Sequence, residues 1–96
     1  MTNNNEKYNG WNTYETWNFF LWYGDELQDA VICLLEYDET TDYGNVFTMV
    51  TGFLDQLLED SGAESGFFSD AIRAAVQRVD LYEITQTLCD NNNIKE

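Results

Sequence analysis

Residues 8–23 read YNGWNTYETWNFFLWY and hold all three tryptophans, three of the six tyrosines and two of the six phenylalanines. A segment this aromatic has to be covered, and it dictates where the core of a short chain lies. Asn9-Gly10 is a turn signal. Asn12 has the side-chain oxygen of a helix cap, with Glu15 three residues on to complete a capping box. The pattern predicts a helix over residues 13–23, stopped by Gly24. At about 100° per residue, Tyr14, Trp17 and Leu21 share one face with Phe20 beside them, and Phe19, Trp22 and Tyr23 take the other. A helix apolar nearly all round is buried on more than one side. We therefore expect the central core helix here, with Trp17 inward. The competing expectation is that Phe19, Trp22 and Tyr23 form an exposed interface.

The rest of the chain reads as further helices, with no proline to interrupt them. Asp25, Glu26 and Asp29 open a second helix, where negative charge complements the dipole. Its apolar side is Leu27, Ala30, Val31, Leu34 and Leu35. Residues 30–35 are also compatible with one short buried strand, which would make the chain α+β. Residues 36–45 read as an acidic loop. A third helix spans 46–59, with Val46, Met49, Val50, Phe53, Leu54, Leu57 and Leu58 at helical spacing. Gly52 is its weak point or a close packing contact, costing about 1 kcal/mol relative to Ala. After a Gly/Ser/acid linker, Ser65 caps a fourth helix to about Val79, with Phe68, Ile72, Ala75, Val76 and Val79 inward. Asp80 and Glu83 have capping-box spacing and open a short fifth helix with Leu81, Ile84 and Leu88 on its apolar side. Residues 1–7 and 91–96 read as flexible polar tails. The expectation is one all-α domain of four to five short helices around the aromatic one.

NGWNTYETWNFFLW resembles the opening of a family of small phage, plasmid and bacterial proteins that typically read NGW-x-N-YETWN before an apolar helix. The match lies at Asn9, Gly10, Trp11, Tyr14, Glu15, Thr16, Trp17 and Asn18, and it departs at Asn12-Thr13, where the family more often has Thr-Asn. Ala71 to Val76 and Val79 to Ile84 are similar to that family's closing helices, which often read VDWxEIA. Together the two segments cover roughly 35 to 40 of the 96 residues. The resemblance brings no established activity. It implies a mobile-element context, in which small acidic proteins often act against host defence.

Charge bounds the function. There are 18 acidic and 4 basic residues, no histidine, and a formal charge of −14. Between Tyr8 and Ile72 there is no Lys or Arg, yet thirteen carboxylates fall there. Self-repulsion on this scale works against the compact state. It argues against binding nucleic acid or anionic lipid directly, and favours a basic partner. Acidity for solubility alone is the plain alternative. The apolar run Phe19 to Tyr23 is far too short to span a membrane, and no signal peptide opens the chain. A cytoplasmic protein is expected, with Cys33 and Cys89 as buried thiols.

Chemistry has few footholds. Without histidine the commonest general base is missing, no phosphate-cradling loop or nucleophile elbow is present, and no spacing singles out two carboxylates. No catalytic residue and no cofactor is expected. Asp38, Thr40 and Asp42 begin like a calcium loop, but Tyr43 and Met49 stand where glycine and glutamate are needed.

What remains is the acid set itself. Asp25/Asp29, Asp38/Asp42, Asp55/Glu59 and Asp60/Glu64 are i,i+4 pairs, about 6 Å of rise apart on a helix. A chain of this length is ~30 Å across, and that length of duplex shows roughly 18 phosphates. Eighteen carboxylates cannot all share one face, so imitation of a nucleic-acid backbone can only be partial. The candidate partner-binding set is Asp25, Glu26, Asp29, Glu36, Tyr37, Asp38, Glu39, Asp42, Tyr43, Asp55, Glu59, Asp60 and Glu64, with Tyr37 and Tyr43 as anchors. The expected function is a mobile-element-encoded inhibitor of a nucleic-acid-handling host defence complex, a CRISPR effector or a restriction enzyme, acting as a monomer or a homodimer. The alternative is a phage or plasmid accessory or structural protein that oligomerises through its aromatic face.

Overall fold

A computed structural model describes residues 10–61 and 66–94, apart from the side chain of Phe68. Among the described residues there are four helices: α1 (Tyr14–Tyr37), α2 (Tyr43–Asp60), α3 (Phe67–Gln77) and α4 (Leu81–Asn91). No strand lies among the described residues, so the α+β alternative at 30–35 is set aside and the chain is all-α. Asn9, the Ser65 cap, Glu64, and the tail residues 1–7, 95 and 96 lie outside the described residues.

The first two expected helices are one. Gly24 does not stop α1, which runs on for 24 residues. Its φ needs no left-handed backbone. What it supplies is space: a Cβ there would lie 2.8 Å from the ring of Phe20, which folds back over it. The Phe20 ring in turn packs on Trp11, centroid to centroid 4.8 Å. Continuity changes the rotation of the helix. Thr16, Phe19, Gly24, Leu27 and Val31 face the core. Tyr14, Leu21 and Trp22 are exposed, and Trp17 is only half-buried. The inward Trp17 face is therefore corrected. Leu27 and Val31 fix the helix phase, on the side away from Trp22. Of the competing interface set, Phe19 is buried, Tyr23 half-buried and Trp22 exposed.

The α1 cap is Thr13, not Asn12. Its hydroxyl accepts the Thr16 N–H at 3.0 Å, and Asn12 is released for another role described below. In α2, Val46, Val50 and Leu54 are buried at i,i+4 spacing. Phe53 meets Phe19 and Tyr23 at 6.3 and 5.5 Å, an aromatic triangle that joins α2 to α1. Gly52 has open space around its missing Cβ, so it is the weak point and not a packing contact.

α4 holds the fold together, packing against both α2 and α1 through Ile84, Leu88 and Cys89, all fully buried. Ile84 and Leu88 each contribute about 1.5–3 kcal/mol of apolar burial. The expected tail after Asp90 is instead a built C-terminus. Asn93 takes φ 60°, the Ile94 N–H reaches Cys89 O at 2.8 Å, and Ile94 is buried. This is the glycine-type helix stop with asparagine in the left-handed position and an apolar residue closing it. α3 is the loosest element. It starts at Gly66 without a side-chain cap, and Ala75, expected inward, is exposed. Cys33 is exposed rather than buried, Cys89 is buried, and no disulfide joins them.

Candidate functional site

The strongest polar construction joins the two ends of the sequence pattern. Asp80 caps α4 by accepting the Glu83 N–H on Oδ1 at 3.1 Å, as its spacing predicts. The capping box is then opened toward α1. The Asp80 N–H donates to Thr16 Oγ1 at 2.8 Å, and the Glu83 carboxylate accepts the Asn12 N–H at 3.0 and 3.2 Å. Asn12 Nδ2 donates to the other Asp80 oxygen at 3.1 Å, and Thr13 Oγ1 donates to Arg78 O at 2.8 Å. At the far end, Gln28 and Asn92 exchange two amide hydrogen bonds of 2.8 and 3.1 Å. Asn92 also closes α4 by donating to Leu88 O. α4 therefore runs alongside α1 in the same direction, clasped at both ends with a sequence offset of 64 each time.

This scaffold sets the acids. On α1, Asp25, Glu26, Asp29 and Glu36 are all exposed, and with Glu15 and Trp22 they occupy a sector of about 100° on the side away from Leu27 and Val31. Glu36 and Tyr37 belong to the last turn of α1 and not to a loop. Tyr37 is 93% exposed. Glu36, Asp38 and Glu39 crowd the negative end of the helix dipole, an unfavourable placement with no cation in that turn.

Asp38 and Asp42 are not a helical pair. Asp38 Oδ1 accepts the Thr40 hydroxyl at 2.6 Å and the Thr40 N–H at 2.9 Å. The hydroxyl first, then the backbone donor, hold its carboxyl below the ordinary aspartate range. Asp42 caps α2 through the Asn45 N–H at 3.0 Å, so that helix begins at Tyr43 and the loop is shorter than expected. Both remain exposed, but both have structural work. Tyr43 is half-buried, with its hydroxyl donating to Tyr82 O at 3.4 Å, which weakens it as an anchor. Asp55, Glu59 and Asp60 are exposed on α2, where Gln56 donates to Asp60 at 3.0 Å. Glu64 lies outside the described residues. Among the described residues no three Asp, Glu or Cys side chains gather as a metal site, and no helix is long and apolar enough to cross a membrane.

Sequence reasoning named one wall of a groove, Phe19, Trp22 and Tyr23, but not the groove. Phe19, Trp22 and Tyr23 of α1, Leu54 of α2, Ala75 and Val76 of α3 and Val79 just past its end line a space of about 470 Å³, together with Glu15 and Asn18. By sequence Glu15 reads as half of a capping box. Its position seven residues before Trp22, and so on the same face, was the available signal.

A family of unknown function (DUF7249) has a sequence profile that matches residues 4–95. No curated protein and no solved structure matches the chain.

Proposed function

We propose that this chain, which belongs to the family of unknown function DUF7249, is a binding protein and not a catalyst. In this reading it is encoded by a mobile element and inhibits a nucleic-acid-handling host complex, a CRISPR effector or a restriction enzyme, by occupying a cleft lined with Lys and Arg. One observation carries the reading. From Asp25 to Glu36, four exposed carboxylates follow one side of α1. That stretch is about 17 Å long, over which one strand of DNA shows roughly five phosphates. The density matches a single strand and falls short of a duplex. Glu36 and its neighbours Asp38 and Glu39 also sit against the helix dipole, so stability alone does not favour them there. Charge of this kind raises association rate and fades with salt.

The test is inhibition by the variant Asp25→Asn, Glu26→Gln, Asp29→Asn, Glu36→Gln. A panel of restriction and CRISPR nucleases is assayed at low and high salt. The expected outcome is a folded variant with weakened inhibition, and competition between wild-type protein and nucleic acid for the same cleft. Inhibition untouched by neutralisation, without competition, would exclude mimicry. A second reading has one observation in its favour. Tyr14, Leu21 and Trp22 are exposed at 49, 63 and 71% and could join copies of an accessory or structural protein. Sedimentation at rising salt separates the two, because screening strengthens self-association of a chain at −14.

A further inference from the structure

The groove beside Trp22 is distinguished by what brackets it. Buried Phe19 and exposed Trp22 line it from α1, and Ala75, Val76 and Val79 from α3 and the turn after it. Its volume falls within the range of sites that seat compact apolar groups. Along the α1 wall, Glu15 stands at one end. Past Trp22 the same side of α1 continues in Glu26 and Asp29, both exposed. Glu15 and Glu26 are about 17 Å apart along the axis, and Glu15 and Asp29 about 21 Å. The wall is thus acid, aromatic, acid, in a span from Tyr8 to Ile72 that has no cation.

We propose that this groove is the docking site for a basic amphipathic helix of the partner protein. Its apolar side chains fill the groove between α1 and α3. Lys or Arg residues about eleven positions apart meet Glu15 at one end and Glu26 with Asp29 at the other, because a helix laid along α1 has the same rise per residue. The inference rests on the basic-partner reading and gives it a location. Charge selects the occupant. A second copy would set acids against acids at −14 per chain, and nucleic acid would bring phosphates to carboxylates. Trp22 has the character of an interface anchor, a large exposed ring on an apolar pocket with Glu15 and Asn18 in its lining.

The probe is a synthetic amphipathic helical peptide with a leucine face and Lys at both ends at this spacing. One control replaces Lys by Glu, the other replaces Leu by Ser. Binding is read by anisotropy of the labelled peptide and by amide shifts of the protein. We expect saturable binding of the first peptide, with shifts at Trp22, Val76 and Val79, and at least tenfold weaker binding of both controls. Trp22→Ala and Ala75→Gln should each weaken binding tenfold or more with an unchanged circular dichroism spectrum. Glu26→Gln with Asp29→Asn should weaken it and flatten its salt dependence. Thr48→Gln, on the surface of α2, should change nothing. No saturable binding, or equal binding by the groove variants, overturns the proposal. So does a dimer abolished by Trp22→Ala, which would assign the groove to a second copy. Inhibition that survives Trp22→Ala and Ala75→Gln but not acid neutralisation sinks the groove and leaves the function standing. Groove binding without any inhibited nuclease does the reverse.

Discussion

Thr16 Oγ1 accepts the backbone N–H of Asp80 at 2.8 Å, across 64 residues of sequence. Thr16 is fully buried and Asp80 half-buried, so this bond is made within the α1–α4 seam. Thr16→Val keeps the shape and leaves the Asp80 N–H unsatisfied. The expected loss is about 1–3 kcal/mol in urea unfolding. Thr16→Ser restores the acceptor and should recover most of it. Equal stability of Thr16→Val and wild type would mean that the clasp contributes nothing.

The two helical glycines should respond in opposite ways. Nothing lies within 4 Å of a Cβ at Gly52, which is exposed. Gly52→Ala should raise stability by up to about 1 kcal/mol through helix propensity. Gly24→Ala gains the same propensity but forces the Phe20 ring from a 2.8 Å contact and off Trp11. Its melting temperature should fall, or at the least show none of the gain seen at Gly52.

Core mutations should follow the observed phase of α1. Leu27→Ala, at a fully buried position, should cost about 2–5 kcal/mol. Trp17→Ala, at a half-buried position, should cost less. Trp22→Ala should stay within about 0.5 kcal/mol of wild type. A Trp17→Ala protein that unfolds more readily than Leu27→Ala would return the core to the other face.

Asp38 gives a pH signature. Its folded value lies below the ordinary 3.8, so it stabilises the fold above that value and loses the effect as pH falls through the folded one. A carbon-13 carboxyl titration should place its midpoint below 3.8. Thr40→Val removes the hydroxyl donor, the larger cause, and should move the midpoint up part of the way while the backbone donor remains.

These residues also mark how far the sequence could be read. The α2 stripe of Val46, Val50 and Leu54 and the Asp80 cap of α4 were legible, because periodicity and capping are local. The phase of α1 was not. With aromatic residues on every side, the window 13–23 has no dominant face. The phase comes from Leu27 and Val31, beyond Gly24, which by sequence reads as a stop. The exposed carboxylates were legible as a set, since burying them unpaired is costly. Their division was not: Asp38 and Asp42 turn and cap the chain, while Asp25, Glu26 and Asp29 line a helix. The groove depends on α3 lying beside α1, a long-range placement that no local pattern announces.

The clasp between α1 and α4 bears on the order of events when the chain is made. Closing a loop of 64 residues costs roughly 4 kcal/mol of chain entropy before its contacts return anything. Asn12, Thr13 and Thr16 leave the ribosome early, and their partners at 78–83 follow much later. Until then the first turn of α1 has its own Thr13 cap but nothing to dock on. The aromatic stretch most in need of cover is thus synthesised first and covered late. In that interval the acids of residues 25–42, already emerged, supply the like-charge repulsion that keeps nascent chains apart.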